Sequence, residues 1–131
     1  MKKEVKLAHI NIVAKDWKKL AQFYLDVFEC EPVYPEKDLH GNWIDKLTGI
    51  PDVKIKGILL KLPGCDEGVG LEIFEFNEMP KKNQDPSNND QGFAHIAFLV
   101  SDMDNTIKKI IAYGGKEYGE ITKKKTVSMK P

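Results

Sequence analysis

Leu7-Ala8-His9-Ile10-Asn11-Ile12-Val13-Ala14-Lys15-Asp16 and Phe93-Ala94-His95-Ile96-Ala97-Phe98-Leu99-Val100-Ser101-Asp102 are two copies of one pattern, in register at an offset of 86 positions. Ala, His, Ile and Asp recur at matching places, and each copy runs into a helical period. After the first copy, Trp17, Leu20, Ala21, Tyr24, Val27 and Phe28 fall at three- and four-residue steps; after the second, Met103, Ile107, Ile110 and Ile111 do the same. Asp16 and Asp102 stand where a side-chain oxygen can cap the first free N–H groups of a helix. Gly114-Gly115 is a stop signal for the second helix.

Working outward, Pro32 to Pro35 reads as a short extended piece, His40-Gly41-Asn42 as a loop, and Trp43 to Thr48 as a short helix or an ordered loop. Lys54 to Leu62 and Leu71 to Phe76 read as strands around a Gly-rich turn. Residues 79–91 are polar, with two prolines and no apolar period, and read as a linker. The expectation is therefore an α+β fold of paired βαβββ modules in a single domain over residues 1–131. Module one spans 5–78 and module two spans 92–131. The second is incomplete, with a strand, a helix, a possible strand from Lys116 to Thr122, and a lysine-rich tail in which Lys123–Lys125 is a solvated run.

Composition narrows the function classes. The 131 residues carry 20 Lys plus Arg against 20 Asp plus Glu, so the basic excess of a nucleic-acid binder is missing. The uncharged run from Phe93 to Val100 is far too short to span a membrane, and Met1-Lys2-Lys3-Glu4 shows no signal-peptide core. Cys30 and Cys65 make neither a zinc-knuckle spacing nor a redox pair. They fit two reduced thiols in a cytoplasmic protein, and together these features point to a small protein that acts on a small molecule or a protein partner.

Strand parity then selects candidates. Ala8, Ile10 and Ile12 form the more uniformly apolar face of the first strand and should cover the helix, which points His9, Asn11 and Val13 the other way. In the second copy His95, Ala97 and Leu99 oppose Ala94, Ile96 and Phe98. If Leu71 and Ile73 cover the helix, Glu72, Phe74 and Phe76 share the side of His9, and Glu75 falls on the helix side. His9, Glu72 and His95 thus make a two-histidine, one-carboxylate set suited to a divalent metal with open positions. Asn11, Trp43, Phe74 and Phe76 are candidate pocket walls, while His40 reads as an exposed loop residue. The apolar side chains left on the His9 side, together with a second sheet that ends early, predict pairing with another copy as a homodimer.

AHINIVAKDWKKLAQFYLDVF, GLEIFEF and GFAHIAFLVSDMDNTIKKIIAYGG together resemble the vicinal-oxygen-chelate superfamily, also called the glyoxalase/bleomycin-resistance/dioxygenase superfamily. That resemblance covers most of Leu7 to Gly115. It implies two βαβββ modules curled around one metal site, in one chain or across a dimer, with ligands at His9, Glu72 and His95 and a divalent ion such as Zn, Ni, Co, Fe or Mn. It further implies chemistry of the lactoylglutathione lyase (glyoxalase I) type, a metal-assisted proton transfer next to the carbonyl of a small thiol adduct or thioester. Members of the superfamily typically end in two further strands, the last carrying a glutamate that completes the site. The chain reaches Pro131 without them, so no general base is assigned, and the alternative implied is a non-catalytic, resistance-type binding protein or an inactive shortened paralogue.

Overall fold

Every second residue of the first strand must choose between helix and solvent, and the apolar choice organises the sheet. A computed structural model describes residues 4–65, 68–81 and 85–122. The elements are β1 (His9–Val13), α1 (Trp17–Val27), β2 (Glu31–His40), α2 (Asn42–Thr48), β3 (Lys54–Lys61), β4 (Gly70–Phe76) and α3 (Met103–Ala112). The four strands of the described residues form one sheet in the order β1-β4-β3-β2. β1 and β4 run parallel, with Asn11 opposite Glu72, and the other neighbours are antiparallel. Together these elements complete the first βαβββ module, and the mixed α+β class is as expected.

α1 begins because Asp16 accepts a hydrogen bond from the Lys19 N–H at 3.2 Å. The Trp17 N–H also donates to Glu75 Oε1 at 3.1 Å, tying the helix start to β4. Its apolar stripe buries Trp17 and Ala21 against Ile58, Leu60, Leu71 and Ile73 of the sheet, with Ile10 and Ile12 packed alongside. Leu60, Leu71 and Ile73 retain no accessible surface, and each such side chain contributes about 1.5–3 kcal/mol through burial. Burial pushes the Cys30 thiol, in the same cluster, up to about 11.

The opposite face of the sheet carries a smaller cluster. Ile44 of α2 meets Val53 and Ile55, with Leu39, Phe74 and Phe76 packed against them. α2 ends at Gly49, whose φ of 74° is the left-handed turn that glycine adopts without a Cβ clash. Beyond it, the Asp45 carboxylate accepts from the N–H groups of Asp52 and Val53 at 3.0 Å each and fixes the approach to β3.

Several expectations need correction. The extended piece at Pro32 to Pro35 is part of a ten-residue strand, Glu31–His40. It tolerates two prolines because β2 is an edge strand and its pairing with β3 shifts register between Val33 and Lys37. His40 consequently ends a strand opposite Lys54, where its Nδ1 lies 3.5 Å from Asp38 Oδ1; it is exposed, as expected, but not in a loop. The Phe93–Leu99 segment pairs with no strand among the described residues. Its backbone has no ladder partner there, and Phe93 and Leu99 are fully exposed, at 102% and 104%. Phe98 alone finds a place in the fold, stacked on Phe28 with ring centroids 4.2 Å apart.

The chain divides into two compact units, one running to Leu99 and the other starting at Val100. In the second, Asp102 caps α3 by accepting from the Asn105 N–H at 3.0 Å, and the helix is followed by Gly114 with a φ of 91°. No residue of α3 is buried. Lys116–Thr122 forms no strand, and Lys123–Lys125 lies outside the described residues.

Two measurements check this packing. A Cβ at Gly57 would collide with the Ile73 carbonyl oxygen and stand 2.9 Å from Phe74 Cδ1, so Gly57→Ala should cost about 1–3 kcal/mol in urea unfolding. The raised Cys30 pKa also carries a sign. The thiol is neutral in the fold up to about pH 11 but ionises near its ordinary value once unfolded. Its contribution is therefore complete below about pH 9 and is lost as pH climbs toward 11. The urea midpoint should fall over that window, and Cys30→Ala should shrink the fall.

Candidate functional site

Parallel pairing of β1 with β4 brings alternate residues of two sequence-distant strands onto one face. His9 Nε2 lies 3.4 Å from Glu72 Oε1. Asn11, directly opposite Glu72 in the register, donates from Nδ2 to the same oxygen at 3.0 Å. The carboxylate is the better sheltered partner, 16% exposed against 47% for the imidazole. Glu72 Oε2 accepts no hydrogen bond from the described residues. Glu75, three residues on, faces α1 as parity requires and is engaged at the helix start.

These three side chains border a cavity of about 540 Å³ on the face away from α1. Trp43 and Leu47 of α2 line it together with Phe74 and Phe76 of β4, so all four expected pocket residues (Asn11, Trp43, Phe74 and Phe76) lie in its wall. Lys37 and Leu39 of β2 line it too. Sequence reasoning missed both because it stopped the extended piece at Pro35. Alternation carried through to His40 would have put residues 37 and 39 on one face.

The His9–Glu72 separation bears on whether a divalent ion fits. At 3.4 Å it exceeds the ordinary N–H···O range. Two atoms each about 2.1 Å from a tetrahedral ion stand roughly 3.4 Å apart, so the pair is spaced as two ligands of one ion would be. An imidazole nitrogen and a carboxylate oxygen are also the donor types that a borderline divalent ion takes. Among the described residues no group of three His, Cys, Asp or Glu side chains is close enough to hold an ion. The structure thus brings His9 and Glu72 together and leaves His95 apart from them, on the exposed Phe93–Leu99 run.

The fold, the paired histidine and carboxylate, and the apolar cavity behind them can now be set beside known proteins. The family model of the Glyoxalase/Bleomycin resistance protein/Dioxygenase superfamily matches residues 6–130, and the chain belongs to that superfamily. It is 25% identical over 112 residues to a 2-epi-5-epi-valiolone epimerase from Actinomyces sp. That match covers 85% of this chain and 60% of the relative, so the chain spans about 60% of the curated relative's length. Among solved structures it is similar in fold to a glyoxalase family protein from Bacillus cereus, with a TM-score of 0.80 and 17% identity, over 95% of this chain and 82% of that one. A second similar fold is a mutant of the fosfomycin resistance protein FosX from Listeria monocytogenes, complexed with Mn(II) and 1S,2S-dihydroxypropylphosphonic acid. There the TM-score is 0.53 at 21% identity, over 89% of this chain and 75% of that chain. No helix among the described residues is long and apolar enough to cross a membrane.

Asn11 holds Glu72 from outside the candidate ligand pair, and such supporting contacts are worth roughly 10- to 100-fold in metal affinity. Asn11→Leu should weaken zinc binding by that factor in a competition titration while leaving the unfolding midpoint nearly unchanged, since the contact is exposed.

Proposed function

We propose that the chain is a metal-dependent enzyme that moves a proton at a carbon next to a carbonyl. The observation that carries this reading is the His9–Glu72 pair, spaced as two ligands of one ion at the border of an apolar cavity. His9 and Glu72 of one chain would hold the ion with His95 of a second copy. A divalent ion held there supplies Lewis-acid stabilisation to negative charge developing on a substrate carbonyl oxygen. Asn11 fixes the Glu72 carboxylate, and Trp43, Phe74 and Phe76 give the substrate an apolar bed that excludes water. The proton carrier is unassigned. Within this reaction class, isomerisation of a thiol adduct, as in glyoxalase I, and epimerisation are neighbouring variants. The epimerase among the relatives weights the second.

The second copy is part of the proposal. The Phe93–Leu99 run offers unpaired backbone and exposed Phe93, Ile96 and Leu99, while the first module leaves Val13 53% exposed on the His9 side. Apolar surface and unpaired extended backbone of this kind are what an intersubunit contact covers. The two unpaired thiols, Cys30 and Cys65, fit a cytoplasmic setting.

Metal analysis of untagged protein should find about one equivalent of a divalent ion per chain. His9→Ala, Glu72→Ala and His95→Ala should each lower zinc affinity by at least the roughly 10- to 100-fold attached to a supporting contact. Light scattering should give about twice the 14.9 kDa chain mass. Solvent deuterium should enter a substrate C–H next to a carbonyl, and methylglyoxal with a thiol tests the glyoxalase form of the reaction. Metal-free protein with no affinity for zinc, or exchange unaffected by chelation, would remove the metal-dependent reading.

A further inference from the structure

One charged side chain in the cavity wall is used neither by the ligand pair nor by the packing. Lys37 is half-buried on β2, in the lining that also holds Glu72, Trp43, Leu47 and Phe74. Its ammonium has no ion pair or hydrogen bond among the described residues. Its sequence neighbour Asp38 alternates to the other face of the strand, where it meets His40. Directly opposite Lys37 stands Gly57, and Phe74 is opposite Gly57 on its other side. With no side chain at Gly57, the Phe74 ring occupies that place and keeps the surroundings of the lysine apolar.

An ammonium drawn partly out of water beside aromatic and aliphatic walls is stabilised by an anion. Among the described residues, the one acidic side chain in the lining is Glu72, which already accepts from Asn11 and adjoins His9. A divalent ion on that pair would leave the cavity with a surplus of positive charge.

We propose that Lys37 selects the ligand of this cavity, and that the ligand is a small organic anion. Its acidic group meets the Lys37 ammonium, and its apolar body lies against Trp43, Leu47 and Phe74. The inference rests on reading the cavity as the substrate site and adds the substrate's charge to that reading.

Trp43 lines the same cavity and supplies the signal. Its fluorescence is titrated with phenylacetate and with the neutral phenylacetamide at fixed ionic strength, on the full chain, both metal-replete and stripped by chelator. A charge-assisted contact predicts that phenylacetate binds roughly tenfold or more tightly than the amide in both forms. Lys37→Met should bring the two ligands to about equal affinity, Lys37→Arg should keep the preference, and Trp43→Phe should abolish the response. Equal binding of the two probes by the wild type, a preference that survives Lys37→Met, a response that survives Trp43→Phe, or no binding of either probe would each overturn the assignment. Metal content measured on the same samples reports separately on His9 and Glu72. A protein that binds no metal but keeps the Lys37-dependent preference refutes the metal reading alone; one that binds metal without the preference refutes the Lys37 assignment alone.

Discussion

The parallel register between β1 and β4, with Asn11 opposite Glu72, sorts the side chains on which both the core and the site depend. On one side, Ile10, Ile12, Leu71 and Ile73 pack in the cluster with Trp17 and Ala21 of α1. On the other, His9, Asn11 and Glu72 border the cavity. Because the strand period is two, a slip of one residue in either strand would expose that strand's apolar set and bury its polar one. The core therefore holds the histidine–carboxylate pair in place: His9 and Glu72 cannot leave the cavity side without Ile10, Leu71 and Ile73 leaving the helix. Glu75 strengthens the same register from the far side by tying β4 to the N-terminus of α1.

Alternation is a local property, and what it controls was legible in the sequence. It separated Glu72 from Glu75, put His9 and Asn11 on the cavity side, and, with the 3.6-residue period, located α1, α3 and their aspartate caps. Features that depend on tertiary context were not legible. The two prolines near the start of β2 argue against a strand by propensity, yet an edge position with a register shift accommodates them. Shortening that strand concealed Lys37 and Leu39 from the site. The Phe93–Leu99 run has the composition of a strand, but a ladder needs a neighbouring strand as well as propensity, and the described residues provide none.

The same run links the fold to the proposed chemistry. In the first module the matching histidine is held by a strand of the sheet; in the second, His95 sits on an exposed apolar segment with no ladder partner among the described residues. A second copy would offer that segment a sheet and an apolar face, and would bring its own His9 and Glu72 toward His95. The Lys37 side of the cavity belongs wholly to the first module, so the proposed charge selection and the proposed metal binding would rest on separate elements, β2 for one and β1 with β4 for the other.

The central claim is that one site takes His9 and Glu72 from one chain and His95 from another. It is tested most directly by mixing two defective variants. His9→Ala and His95→Ala proteins are unfolded together, refolded as a mixture, and assayed for bound zinc against each variant refolded alone. In a mixed dimer, one of the two sites would combine the intact His9 and Glu72 of the His95→Ala chain with the intact His95 of the His9→Ala chain. The account predicts that the mixture regains zinc binding at wild-type affinity, at up to one ion per mixed dimer, while neither variant alone does. A mixture that binds no more zinc than its separate components would contradict a site shared between two chains.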